Sequence, residues 1–80
     1  MSQPVVEVYV SPTCPACHQV KQFLEDNGVE YSEFDVSKDE EALKRIVKET
    51  DQMVVPIIKV GEDQYVIGFD RGELEKLLDL

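Results

Sequence analysis

Only two cysteines occur among the 80 residues, Cys14 and Cys17. So few rules out a disulfide framework, and a bridge between residues three apart would close a tiny loop that scarcely constrains the unfolded chain. Basic residues are scarce as well: 8 Lys and Arg stand against 17 Asp and Glu, for a formal net charge of −9. A nucleic-acid binder needs a basic face to displace counterions, and docking on an anionic membrane draws on polybasic segments, so neither partner class is expected. The acid excess reads most simply as a solvated surface that keeps the protein dispersed and monomeric. No apolar run approaches a membrane span, and no charged-then-apolar leader opens the sequence. The expected location is the cytoplasm, where a cysteine pair is more often catalytic or metal-binding than structural. No repeat, low-complexity tract or Pro/Gly-rich linker divides the chain, so a single domain over residues 1–80 with one modest core is expected.

What is present alternates between strand and helix patterns. Residues 5–10 are β-branched and aromatic, bounded by Pro4 and by Ser11-Pro12, and their near-continuous apolarity fits a buried strand. From Pro15 onward Val20, Phe23 and Leu24 recur at helical spacing, with Pro15 suited to the first turn and Asn27-Gly28 to the stop. Residues 31–36 alternate as a second strand. Ser37-Lys38-Asp39-Glu40 has the form of a capping box, followed by Leu43, Ile46 and Val47 on one helical face. Residues 54–60 read as a strand opened by Pro56, and Gly61-Glu62-Asp63 turns it into residues 64–67. Gly68-Phe69 breaks that ladder. Asp70-Arg71-Gly72-Glu73 is a second capping-box pattern, ahead of Leu74, Leu77 and Leu78.

The order β-α-β-α-β-β-α implies an α/β fold. The first crossover pairs its strands in parallel and the last two strands form an antiparallel hairpin, giving a mixed four-stranded sheet with three helices. Cys14-Pro15-Ala16-Cys17 then falls where the first strand feeds the first helix, the edge at which open α/β sheets place ligands. Free N–H groups and the positive end of the helix dipole favour a thiolate there. Such a thiol with a second one turn away is a thiol–disulfide exchange centre. Two other chemistries share the pattern. His18 completes Cys-x-x-Cys-His, a haem-attachment spacing with Met53 as a conceivable second axial ligand, but such attachment belongs to an oxidising compartment. One Cys pair is also half a tetrahedral zinc or iron–sulfur set, which only a dimer sharing the metal would complete.

The sequence resembles the glutaredoxin branch of the thioredoxin superfamily. Thr13-Cys14-Pro15-Ala16-Cys17 matches the Cys-Pro-x-Cys site, Val55-Pro56 falls where that family keeps a cis-proline facing it, and Gly68-Phe69-Asp70 takes the place of the glycine-rich turn before the last helix. The likeness spans nearly the whole chain and implies the thioredoxin-like (glutaredoxin) fold. It implies that Cys14 is the attacking thiolate and Cys17 the resolving thiol of a dithiol oxidoreductase acting on protein or small-molecule disulfides. Thr13, Val55, Pro56, Gly68, Phe69 and Asp70 are implied to bind substrate. Read without the resemblance, Pro56 is a tolerated strand opener, and Asp70 can cap the last helix while also accepting a substrate amine.

The sequence also departs from the glutathione-using pattern. Ser11 stands where many such proteins carry Lys or Arg, Ala16 replaces a common Tyr or Phe, and the paired glycines are reduced to Gly68-Phe69. These features resemble glutaredoxin-like redoxins reduced by a flavoprotein thioredoxin reductase. Closer in detail is a short glutaredoxin-like family with Gln-Met before the Val-Pro strand and Gly-Phe-Asp after the hairpin, here Gln52-Met53-Val54-Val55-Pro56 and Gly68-Phe69-Asp70. No bound cofactor is expected. Reducing equivalents are expected from a thioredoxin-reductase-type flavoprotein or from glutathione. The alternative is a module that binds a thiol, metal or iron–sulfur cluster at the same site without turnover.

Overall fold

A computed structural model of the chain describes residues 5–51, 55–61 and 64–78. The Gln52-Met53-Val54 stretch and the Glu62-Asp63 part of the hairpin turn lie outside the described residues. The elements run β1 (Val6–Val10), α1 (Pro15–Asp26), β2 (Ser32–Asp35), α2 (Glu40–Thr50), β3 (Ile57–Val60), β4 (Gln64–Ile67) and α3 (Arg71–Leu78). They form a four-stranded sheet ordered β2-β1-β3-β4. β1 and β2 are parallel, while β1–β3 and β3–β4 are antiparallel. The mixed four-stranded sheet with three helices expected from the element order is observed, and it is the fold that the resemblance implies.

Strand alternation splits the core in two. Val6, Val8 and Val10 of β1, Ile58 and Val60 of β3 and Val66 of β4 point to the side on which Val20 and Leu24 of α1 and Leu74 of α3 are buried. Tyr9, Ile57, Ala42 and Ile46 are buried on the other side, under α2, with Phe34 and Tyr65 packed against them. The near-continuous apolarity of β1 follows from this arrangement, since both of its faces are covered.

Local chemistry sets the ends of the elements. α1 closes at Asn27, whose side-chain amide donates to the Phe23 carbonyl at 2.8 Å, and Gly28 follows with φ +69. α2 differs from the capping-box expectation. Its N-cap is Asp39, whose Oδ1 accepts the Ala42 N–H at 3.0 Å. Ser37 instead sits in the turn before the helix, where its N–H and hydroxyl both donate to Asp35 Oδ1, at 2.9 and 2.5 Å. Two potential caps lay two residues apart, and Asp35, arriving from β2, captured the first. β3 also begins later than the apolar pattern suggests, at Ile57. Pro56 has no N–H to give to a ladder, so the strand starts after it. Among the described residues no helix is long and apolar enough to cross a membrane.

Candidate functional site

β1 ends at Val10, and residues 11–14 lead directly into α1. Cys14 is the N-cap of that helix, with an extended backbone (φ −104, ψ 106). Pro15 occupies the first helical position, where an N–H would have had no helical partner. The first turn therefore directs the N–H of Cys17 at Cys14, 3.2 Å from Sγ and 3.2 Å from the carbonyl oxygen. A sulfur in the N-cap position takes the part usually played by a Ser or Asp oxygen. Both cysteines are free thiols; Cys14 is half-buried, whereas Cys17 is buried.

This difference in depth divides the pair chemically. Burial, followed by the hydrogen bond to Cys14, pushes the Cys17 thiol from 9.0 up to about 11; the Ser11 backbone and the charge of Lys21 act in the opposite direction. Cys17 is thus a thiol near neutral pH, held beneath a more accessible Cys14. His18 is exposed on α1, and among the described residues no group of three His, Cys, Asp or Glu is gathered that could hold a metal ion.

Cys14, Val55 and Phe69, from three separate chain segments, all pack against the core that buries Cys17. The Val55–Pro56 bond is cis, and Pro56 is buried. The Pro56 carbonyl accepts the Gly68 N–H at 2.8 Å, which ties the start of β3 to the turn before α3. Gly68 itself has φ +81, a conformation that a side chain would strain. Phe69 meets Phe23 of α1 edge-on, with ring centroids 5.9 Å apart, and Arg71 lies over the other ring of the pair, 5.7 Å from the Phe23 centroid. Asp70 caps α3, its Oδ1 accepting the Glu73 N–H at 3.1 Å. Thr13 is exposed, and its N–H and hydroxyl pair with Ser11 Oγ at 3.4 and 3.3 Å, so the Ser11 hydroxyl shapes the loop.

Sequence reasoning missed the contacts that fasten these parts. The Phe23–Phe69 pair links α1 to the turn before α3 across 46 positions of sequence, and the Lys21–Glu33 ion pair at 3.2 Å joins α1 to β2. A groove of about 470 Å³ between α1 and α3 is lined by Gln19, Gln22, Phe23, Phe69, Arg71 and Glu75, among others. Phe23 was legible only as a helical core position, and no local pattern marks an ion pair between two distant elements.

The glutaredoxin family model matches residues 6–66. Glutaredoxin 3 of Escherichia coli K12 is 31% identical, over 91% of this chain and 95% of its own length. The gene 56 protein of mycobacteriophage D29 is also 31% identical, over 92% of this chain and 82% of its own length. The crystal structure of the thioredoxin-like protein BC3987 superposes with a TM-score of 0.85 at 41% identity, covering 91% of this chain and 99% of that one.

Proposed function

The chain belongs to the glutaredoxin family, and from that premise we propose that it is a dithiol oxidoreductase reducing protein or small-molecule disulfides through Cys14 and Cys17. Thiol redox exchange is the general chemistry of the family, with glutathione or a disulfide reductase as partner. The observation that carries the finer reading is the N-cap position of Cys14, whose Sγ accepts the Cys17 N–H at 3.2 Å above a buried second thiol.

The asymmetry supports an ordered sequence. The Cys14 thiolate attacks one sulfur of the substrate disulfide; a Cys14–substrate bond forms, the substrate S–S bond breaks, and the first thiolate leaves. In the reduced protein, Cys14 itself helps to keep Cys17 protonated, through their hydrogen bond and through repulsion between two thiolates. Both influences fade once Cys14 Sγ is neutral in the mixed disulfide, so Cys17 ionises more readily at the stage at which it is needed. Its thiolate then attacks Cys14 Sγ, closes the Cys14–Cys17 disulfide and expels the second substrate thiolate. Two thiols of the protein are oxidised and one substrate disulfide is reduced.

For the return of electrons we favour a thioredoxin-reductase-type flavoprotein over glutathione. Ser11 supplies no positive charge for a glutathione carboxylate, and its hydroxyl is already engaged with Thr13. Ala16 offers no aromatic wall, and a chain of net charge −9 repels an anionic tripeptide, within the roughly 10 Å that salt leaves unscreened. The test supplies NADPH with either thioredoxin reductase or glutathione plus its reductase and measures reduction of a protein disulfide. Faster turnover with thioredoxin reductase is expected, and Ser11→Lys should raise the glutathione rate, more so at low salt. Efficient turnover with glutathione and none with a thioredoxin reductase would restore the ordinary glutathione-dependent reading.

A further inference from the structure

The ordered mechanism leaves one charged group near the thiols without a task. Lys21 follows Cys17 by four residues in α1, so the two side chains are neighbours on one face of the helix. Its Nζ is turned toward the sheet and held 3.2 Å from Oε2 of Glu33, leaving 23% of the side chain exposed. The strand register explains why a carboxylate waits there. Glu33 is matched with Val8 across the parallel β1–β2 ladder, and Val8 points into the core beneath α1. Matched positions on adjacent strands leave the sheet on the same side. Glu33 therefore stands on the α1 side of the edge strand, while its neighbour Phe34 goes to the α2 side. The ammonium is pinned at the rim of the core that buries Cys17.

We propose that Lys21, anchored by Glu33, is a positioning residue for the second chemical step, fixing a positive charge where the Cys17 thiolate has to form. The inference rests on the dithiol reading above. It is consistent with the environment of Cys17, where burial and Cys14 oppose ionisation and only the Ser11 backbone and the Lys21 charge favour it. The other side chains of that core, from β1, β3, β4 and α3, are apolar and contribute no compensating charge. In the step itself, Cys17 gives its proton to water, its sulfur bonds to Cys14 Sγ, and the Cys14–substrate bond breaks. The substrate sulfur departs as a thiolate with the bonding pair and is then protonated by water.

Dithiobis(nitrobenzoate) separates the two steps. Mixed with the reduced protein, it releases one coloured thiolate when Cys14 attacks and a second when Cys17 closes the disulfide. Removing a unit charge one helical turn away is expected to lower the Cys17 thiolate fraction about three- to tenfold. The greater nucleophilicity of the more basic thiolate offsets roughly half of this on a logarithmic scale. Lys21→Met should therefore slow the second phase about two- to threefold between about pH 6 and pH 9 and leave the first phase unchanged. Lys21→Gln should act like Lys21→Met, and Lys21→Arg, which keeps the charge, should restore the second phase. A second phase unchanged in both neutral variants, or one that Lys21→Arg fails to restore, overturns the proposal. Absence of any second release from the unmodified protein would instead overturn the dithiol reading, so the two failures are distinguishable.

Discussion

The two faces of the sheet solve opposite problems with the same strands. On the α1/α3 side the strands present valines and isoleucine to leucines and to Cys17, and the dry core withholds ionisation from a thiol. On the α2 side the alternate positions of the same strands include tyrosines that reach acidic partners. Tyr9 donates to Glu7 Oε1 at 3.0 Å and its ring stacks on Phe34 with centroids 5.2 Å apart, while Tyr65 donates to Glu49 Oε2. Lys59 closes this second group, 3.7 Å from Glu49 and above the Tyr65 ring. Burial first, and the carboxylates next, push both phenols from 10.0 up to about 12. One face thus buries the thiol that the proposed mechanism has to ionise, and the other holds two phenols protonated well past neutral pH. Both thiols belong to the α1/α3 side of the sheet.

The strongest way to test this division is to remove its chemical element. Cys14→Ser should abolish disulfide reduction, whereas Cys17→Ser should trap mixed disulfides detectable by mass and retain at most monothiol activity. Rapid alkylation of Cys17 ahead of Cys14 in the reduced protein at neutral pH would reverse the assignment.

Next in size is a matched pair of cavities. Leu24→Ala in the α1/α3 core and Ile46→Ala in the α2 core each remove a fully or almost fully buried side chain. Each should lower unfolding stability by about 2–5 kcal/mol in a denaturant titration. Only Leu24→Ala should also change the kinetics of the thiol pair, because it loosens the helix that carries Cys17. Equal kinetic effects from both would mean that the two faces are not separable.

Alkaline titration sharpens the comparison further. A folded-state pKa raised above its unfolded value gives stability that is complete below the unfolded pKa and is lost as pH rises through the folded one. For Tyr9 and Tyr65 that window runs from 10.0 to about 12, and for Cys17 from 9.0 to about 11. Phenolate absorbance of the native protein should therefore emerge late, and Glu7→Gln should bring the Tyr9 transition down without altering thiol reactivity. Phenolate appearing near pH 10 in the native protein would show that the α2 face does not hold its tyrosines as described.

The smallest effects belong to the caps. Asp39→Ala at α2 and Asp70→Ala at α3 should each cost about 1 kcal/mol. If Asp70 also receives a substrate amine, Asp70→Ala alone should raise the KM for glutathione; an unchanged KM limits it to the cap seen in the structure.

Much of this was legible because it is local. The element order, the Asn27-Gly28 stop, the Asp70 cap and the thiols at the start of α1 each depend on residues within about one turn of one another. Ser37 shows where local reading stops. It has the chemistry of an N-cap and the right residue three positions later, yet Asp35 at the end of β2 takes its donors, and Asp39 caps the helix.

The sequence by itself determined that Cys14 and Cys17 lie one turn apart at a helix start, because their spacing and Pro15 leave little else for that segment to form. It also determined that β1 would be covered on both faces, because it carries apolar residues at nearly every position. Only the tertiary structure decided what surrounds the thiols. The strand order β2-β1-β3-β4 and the pairing of Glu33 with Val8 bring a carboxylate under Lys21, and the Pro56–Gly68 hydrogen bond brings Phe69 to the core of Cys17. These partners lie far apart in sequence, and a slip of one residue in the register would send Glu33 to the opposite face. Contacts of that kind follow from which strands pair and in what register, and no single stretch of the chain encodes them.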